Sequence, residues 1–157
     1  MEMLVIPKSN GNKYVIQDKK ARVLYTVKKK GFGGRYNLLD ASDYNLYTLL
    51  QTDEGRKPVF SIILNDDKFL TLTIKSLFLD PTITAEGKDM NFSIESKDRK
   101  AFKIMKNGVH VGDIKTTAML SGDLQYEIEI ENVAFDDYIP LFAVTIDKAF
   151  GEINRNK

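Results

Sequence analysis

The chain has 157 residues, with 23 lysines and arginines against 22 aspartates and glutamates, one histidine and a formal net charge of +1. It contains no cysteine, which excludes disulfides, a thiolate nucleophile and every cysteine-based zinc or iron–sulfur site. Hydrophobic residues make up 43% of the chain, enough for a sizeable core, so we expect residues 1–157 to form one domain.

The N-terminal segment Met1–Pro7 is apolar but short, and it lacks the basic n-region and long apolar core of a secretory signal. The longest nearly apolar segment, Tyr138–Ile146, is far shorter than the roughly 20 residues that a transmembrane helix needs. We therefore expect a cytoplasmic protein that contacts a membrane only peripherally.

Before residue 132, apolar and polar residues alternate with a period of two, which is typical of strands with one buried face. Gly, Asn, Asp and Pro separate the alternating segments, so successive segments are predicted to form antiparallel hairpins. The predicted strands are Lys13–Asp18, Arg22–Lys30, Arg35–Asp40, Tyr44–Thr52, Pro58–Asn65, Lys68–Ser76, Thr82–Glu86, Met90–Ser96, Ala101–Lys106, Val109–Thr116 and Leu124–Glu131, with a brief strand at Thr117–Leu120 left open.

The Asn107-Gly108 pair predicts a two-residue type I′ turn, because both central residues of that turn need a positive φ. The register set by this turn pairs Ile104 with Val111 and turns His110 outward. An outward His110 favours a surface role over that of a catalytic base. The residues predicted on the inner face are Phe102, Ile104, Val109 and Val111.

The period changes once, and residues 136–150 are predicted to form a helix. Asp136 or Asp137 is expected to cap its N-terminus, Pro140 is tolerated in its first turn, and Gly151 is expected to end it. The apolar residues of Tyr138–Ile146 fall on all sides of this helix, so protein must surround it.

A sheet that encloses a helix satisfies both patterns. We therefore predict a mainly β fold, a closed antiparallel barrel of about 12 strands at about residues 13–131, around a central hydrophobic C-terminal helix.

Four features of the chain carry a family resemblance: Lys13–Ile16 with Val23–Lys28, Tyr36–Asp40 with Leu46–Leu50, Ile104–Gly108 and the Asp136–Phe150 helix. In these features the sequence resembles the tubby C-terminal-like superfamily, specifically its small bacterial members of the LURP-one-related type, which are similar in fold to phospholipid scramblases. The resemblance implies a barrel of about twelve strands around a hydrophobic C-terminal helix. It also implies a ligand class, since members of the tubby branch bind phosphoinositide headgroups at the barrel surface.

The charge is unevenly distributed along the chain. The segment Lys13–Arg35 carries a net charge of +7, the rest of the chain −6, and Asp123–Asp137 contains six acids and no cation. We therefore predict an anionic-headgroup patch, in which Phe32 on a glycine turn inserts beside lipid phosphates. The alternative is a solvated face that protects a strand edge. The predicted patch comprises Lys19, Lys20, Arg22, Lys28, Lys29, Lys30, Phe32 and Arg35.

Other chemistries fit the sequence poorly. The Gly31–Gly34 turn lacks the Walker pattern and precedes a strand, which disfavours a phosphate-binding loop. Asp66-Asp67 and Asp136-Asp137 are explained as a turn and a helix cap. No catalytic residue, cofactor or metal site is predicted, and nucleic acid is not expected, because the basic segment offers neither a recognition helix nor a stacking platform.

Three functions remain as hypotheses. We favour a non-enzymatic module that binds anionic phospholipid or phosphoinositide headgroups peripherally. The alternative is a protein-interaction or regulatory scaffold in the bacterial cytoplasm, with the acidic strand Leu124–Glu131 as its binding surface. An enzyme or a lipocalin-like carrier would need a concave site in the lumen that the predicted helix fills.

Overall fold

The computed structural model describes residues 1–31, 33–53 and 55–155. Twelve strands pair antiparallel with their neighbours in the chain, and the first strand also pairs with the last, so the sheet closes into the predicted barrel. The strands are β1 (Glu2–Lys8), β2 (Lys13–Gln17), β3 (Val23–Lys29), β4 (Gly34–Asp40), β5 (Asn45–Asp53), β6 (Val59–Leu64), β7 (Asp67–Ser76), β8 (Thr82–Gly87), β9 (Met90–Ser96), β10 (Ala101–Lys106), β11 (Val109–Ala118) and β12 (Leu124–Ile130).

The barrel begins earlier than the predicted residue 13. β1 lies between β2 and β12 and closes the sheet. Met3 and Val5 face the core, while Leu4 and Ile6 point outward and are half-buried. Because both faces of β1 are apolar, the period-two pattern is hidden in this segment. The segment left open at Thr117–Leu120 forms no separate strand, since β11 continues to Ala118.

The Asn107-Gly108 turn forms as predicted, with φ values of 49° and 82°. A bulge between Ile104 and Met105 then shifts the pairing, so that Ile104 lies opposite Gly112 and not Val111. Val109 still pairs with Lys106 as predicted, but it lies at the strand end beside the turn and is 62% exposed, so its predicted burial on the inner face was wrong. His110 lies on the outer surface, as the turn register indicated.

The helix α1 (Pro140–Arg155) is enclosed by the barrel. Leu141, Phe142, Ala143 and Val144 are all fully buried, and four consecutive helical residues point to every side of the axis. The contacts reach strands around the wall. Phe142 packs on Phe92 of β9 with ring centroids 5.0 Å apart, and Phe150 packs on Phe102 of β10 at 5.7 Å.

Both ends of the helix differ from the prediction. The helix starts at Pro140, and the Asp137 carboxylate accepts a hydrogen bond from the Tyr25 hydroxyl. Gly151 lies inside the helix, where a Cβ atom would come within 2.8 Å of the Asp147 Oδ1 atom. This glycine is therefore required by close packing and does not end the helix.

Among the described residues, no helix has the length and apolarity to cross a bilayer.

The substitution Val144→Asp tests whether the helix is enclosed. It places a charge at a fully buried position without a partner, so we expect a loss of several kcal/mol in the free energy of unfolding, or no folding at all. Urea denaturation followed by circular dichroism measures the change. Val133→Asp is the matched control, because Val133 is 91% exposed. Equal stability of the two variants would contradict the enclosed helix.

Candidate functional site

The connections between strands form two rims, one at each end of the barrel. We call one end the basic rim, formed by the described residues of the connections at 9–12, 30–31, 33, 55–58, 77–81, 97–100 and 119–123. The other end is the acidic rim, formed by connections 18–22, 41–44, 65–66, 88–89, 107–108 and 131–139. The helix runs from the acidic rim to the basic rim, since the Asn154 side-chain amide donates to the Arg99 carbonyl.

Charge divides between these two ends. The described residues of these connections include the cations Lys30, Arg56, Lys57, Lys97, Arg99 and Lys100 and the acids Asp80, Asp98 and Asp123 at the basic rim. The connections of the acidic rim contain the cations Lys19, Lys20, Arg22 and Lys88 and the acids Asp18, Asp43, Asp66, Asp89, Glu131, Asp136 and Asp137. A molecule with this axial asymmetry presents its basic end to an anionic surface.

Three lysines lie side by side at the basic rim. Lys8 of β1 is directly opposite Lys13 of β2, and Lys13 is directly opposite Lys28 of β3. All three belong to the outward-facing set of their strands, with Lys8 and Lys28 exposed and Lys13 half-buried. Directly opposed like charges destabilise a sheet, so this lysine row costs the fold stability unless an anion lies against it.

Three further cations extend the row at the end of β3 and the start of β4. Lys29, Lys30 and Arg35 are exposed, and the Lys30 amide donates to the Arg35 carbonyl at 2.9 Å. Within the described part of the chain, none of these six residues forms an ion pair. We call them the basic cluster, which comprises Lys8, Lys13, Lys28, Lys29, Lys30 and Arg35.

The structure separates the patch that was predicted from the sequence. Lys19, Lys20 and Arg22 lie on the acidic rim, at the other end of β3, which is about 20 Å long at the rise of an extended strand. Lys19 pairs with Glu2, and the Arg22 Nε atom lies 2.8 Å from an Asp18 carboxylate oxygen. Lys19 and Arg22 are thus partly neutralised, and none of the three cations joins the basic cluster. Phe32, the apolar member of the predicted patch, lies outside the described residues.

Polar contacts with the helix hold the basic cluster in place. The Lys148 Nζ atom donates to the Gly11 carbonyl at 2.7 Å and lies 4.6 Å from the Tyr36 ring centroid. The helix thereby fixes the connection between Lys8 and Lys13, and Tyr36 of β4 braces the same lysine. Lys148 adds a further positive charge at the mouth of the barrel.

Asp147, the residue before Lys148, is a buried carboxylate. Its side chain is 3% exposed and accepts hydrogen bonds of 2.5 Å from the hydroxyls of Tyr14 and Tyr126, while the Arg155 guanidinium lies at 3.0 Å. Three donors compensate this carboxylate for the loss of water. They connect α1 to β2 and to β12 across the lumen.

The two tyrosines are held in their neutral form. Burial, followed by the charge of Asp147, raises the pKa of Tyr14 well above its usual value of 10, and the same causes raise the pKa of Tyr126. A hydroxyl that donates to a buried carboxylate cannot ionise without placing two negative charges side by side. Asp147 and its two tyrosines therefore position the helix, and neither tyrosine is arranged to act as a nucleophile.

The acidic strand β12 points Glu127 and Glu129 outward, and Glu131 follows directly after the strand. Glu129 lies opposite Glu2 of β1 on one side and Asp113 of β11 on the other. His110 lies next to this acidic row, with its Nε2 atom 3.0 Å from both the Gly112 carbonyl and an Asp113 carboxylate oxygen. Within the described residues, no group of His, Cys, Asp or Glu side chains is arranged to hold a metal ion.

Comparison with family models decides the relationship. A model described as LURP-one-related matches residues 1–146. The chain belongs to the LURP-one-related family. This family is part of the tubby-like superfamily, so the resemblance to that superfamily seen in the sequence is confirmed. Barrels of this family are generally non-catalytic. Comparisons with curated proteins and with solved structures yield no match.

Two parts of this LURP-one-related site were missed from the sequence. Lys8 was overlooked because β1 was not predicted, and Lys13, although counted in the +7 segment, was left out of the patch. Asp147 and Tyr14 were missed because an aspartate in a helix is ordinarily exposed. The sequence did contain a signal for a buried Asp147, because this residue directly follows Tyr138–Ile146, the apolar segment that was predicted to be enclosed.

The pH dependence of stability tests the neutral tyrosines. An unfolded chain ionises its tyrosines near pH 10, whereas the folded protein keeps Tyr14 and Tyr126 protonated. The folded state then binds more protons, so we expect the contribution of these tyrosines to the free energy of unfolding to be unchanged below pH 9 and to fall above pH 10. Each such tyrosine contributes a slope of about 1.4 kcal/mol per pH unit.

The matched variants are Tyr14→Phe and Tyr44→Phe, since the Tyr44 side chain is 68% exposed. Urea denaturation between pH 8 and about pH 11 should give Tyr14→Phe a lower stability at pH 8 and a shallower alkaline slope. The Tyr44→Phe variant should keep the full slope. An unchanged slope in Tyr14→Phe would show that Tyr14 ionises in the folded protein.

Proposed function

We propose that this protein is a non-enzymatic binding module that attaches peripherally to anionic phospholipid surfaces in the bacterial cytoplasm through its basic cluster. The partners are the phosphate groups of lipid headgroups, including those of phosphoinositides. Phosphates suit lysine and arginine side chains, and several cations held together on a rigid sheet bind a charged surface more strongly than one does.

The lysine row is the observation that carries this proposal. A closed barrel offers many outward positions at which a lysine would have no like-charged neighbour. Lys8, Lys13 and Lys28 instead occupy three adjacent strands in direct register, close to Lys29, Lys30 and Arg35. An anionic surface against this row would replace the repulsion between the lysines by attraction to the anions. A solvated face that only protects a strand edge gives no reason to place the lysines next to one another.

The distribution of charge over the whole molecule supports the same orientation. The acidic rim carries most of the exposed acids of the connections, including Asp43, Glu131 and Asp136. Near an anionic membrane these acids are repelled while the basic rim is attracted. A net charge of +1 therefore conceals a strongly directional interaction.

The triple variant Lys8→Gln/Lys13→Gln/Lys28→Gln tests the proposal. Co-sedimentation with vesicles of phosphatidylcholine alone and of phosphatidylcholine with phosphatidylserine, at low and at physiological salt, measures binding. We expect the wild type to bind only the anionic vesicles and to weaken as salt rises. Each cation contributes about 1 kcal/mol near the surface, so the variant should bind on the order of a hundredfold more weakly.

The matched control is Lys19→Gln/Lys20→Gln/Arg22→Gln, which removes three cations from the acidic rim. This control should bind almost as tightly as the wild type. Equal losses in both variants would mean that net charge, and not the basic cluster, drives binding. Replacing phosphatidylserine by a phosphoinositide at equal surface charge then separates general attraction from recognition of one headgroup.

A second candidate is a protein-interaction or regulatory role for the acidic face. The observation that favours it is the row formed by Glu2, Glu129 and Asp113, which repeats on the acidic side the like-charge pairing of the lysine row. A basic protein surface would neutralise it.

A pulldown from native cytosol tests this second candidate with the variant Glu127→Lys/Glu129→Lys/Glu131→Lys. We expect the wild type to retain a basic partner, since opposite charges across an interface strengthen and orient association, and the variant to lose it. The glutamates are exposed, so the variant should fold, which circular dichroism checks. Retention of the same partner by the charge-reversed variant would exclude the acidic face.

A further inference from the structure

Three large apolar side chains project from the basic rim. Phe78 and Leu79 belong to connection 77–81, and Leu120 belongs to connection 119–123. Phe78 is 62% exposed, Leu79 is 86% exposed and Leu120 is fully exposed. Such side chains add little to the core, so their apolarity has no explanation in the stability of the barrel.

Both connections are ordered turns. The Ser76 hydroxyl donates to the Leu79 carbonyl at 2.6 Å, and the Thr82 hydroxyl donates to the Asp80 carbonyl at 2.8 Å. In the second turn the Gly122 amide donates to the Met119 carbonyl at 2.9 Å. The apolar residues are therefore held out from the rim by hydrogen bonds within their own turns.

Cations lie between the two apolar turns. β9 and β10 separate β8 from β11 around the barrel, so connection 97–100, with Lys97, Arg99 and Lys100, lies between the two turns. The Arg99 guanidinium lies 5.5 Å from the Phe78 ring centroid, which places a phosphate-binding group directly beside an apolar one.

Two acids in this part of the rim, Asp80 and Asp98, contact nearby groups of the turns. Asp80 pairs with Lys97 at 3.8 Å. The Asp98 carboxylate accepts hydrogen bonds of 2.9 Å from the amides of Lys100 and Ala101, and such bonds lower its pKa. These carboxylates stabilise the turns, and Lys100 is left exposed to an anionic surface, with the half-buried Arg99 beside Phe78.

We infer that the basic rim inserts Phe78, Leu79 and Leu120 into the interfacial layer of an anionic bilayer, so that the barrel stands end-on to the membrane. This inference rests on the proposed function and adds the depth and orientation of binding. Apolar side chains that leave water at the headgroup level add a salt-independent contribution to the attraction between cations and phosphates.

The acidic rim supplies matched controls. Tyr44, Val109 and Val133 are 68%, 62% and 91% exposed there, close to acids such as Asp43 and Glu131. An anionic surface repels these acids, so the apolar side chains beside them are not expected to enter the bilayer. Exposed apolar residues thus occur at both ends, and the neighbouring charge distinguishes them.

The first experiment compares two triple variants on vesicles of phosphatidylcholine and phosphatidylserine over a range of salt concentrations. Phe78→Ser/Leu79→Ser/Leu120→Ser should lose roughly tenfold in affinity for each inserted side chain while keeping the salt slope of the wild type. The control Tyr44→Ser/Val109→Ser/Val133→Ser should bind like the wild type. All six side chains are exposed, so both variants should fold.

The second experiment uses the absence of cysteine from the chain. Single variants Leu79→Cys, Leu120→Cys and Val133→Cys each accept one environment-sensitive fluorophore, and co-sedimentation of the same samples reports binding separately. We expect a blue shift on vesicle binding at positions 79 and 120 and none at position 133, because only the first two probes leave water.

The outcomes separate the two proposals. Vesicle binding without a blue shift at positions 79 and 120 overturns the end-on insertion and leaves the basic cluster as the binding site. Blue shifts at all three positions overturn the stated orientation. Absence of vesicle binding overturns both proposals together.

Discussion

The structure depends on a helix that is apolar on every side. From Leu141 to Val144, each successive side chain is fully buried, so no sheet with one covered face could accommodate it. A closed barrel satisfies the helix, and in turn the helix fills the lumen that twelve strands enclose. The barrel and the helix therefore need each other, and for this reason a single charge at Val144 is expected to lower the free energy of unfolding strongly.

The polar contacts of the lumen give this packing a fixed direction. Asp147 bonds to tyrosines on β2 and β12, and Lys148 holds the connection between β1 and β2. Apolar packing alone tolerates small rotations and shifts, whereas a buried carboxylate with three donors allows one position. The helix is thereby locked at the basic rim, next to the strand ends that carry the lysine row. The stability of the core and the geometry of the proposed binding surface are thus linked.

The basic rim combines two features that favour a membrane surface. Cations with no partner in the described part of the chain occupy β1 to β4, and apolar turn tips alternate with cationic turns around the other half. Cations give long-range attraction that weakens with salt, while apolar tips give short-range affinity that does not. The opposite rim carries exposed apolar residues as well, but its acids turn it away from an anionic surface.

The sequence by itself determined the class of the fold, since strict alternation defines strands and a helix apolar on all sides must be enclosed. It also indicated the Asn107-Gly108 turn and the outward His110, because local backbone chemistry decides both. Only the tertiary structure decided which charges meet. Lys8 and Lys28 are distant in the chain yet share one row, whereas Lys19 and Lys28 are near in sequence and lie at opposite ends of β3. Sequence distance does not measure separation across a barrel, because register and strand length place side chains, and both are set by pairings and bulges that form only when the sheet closes.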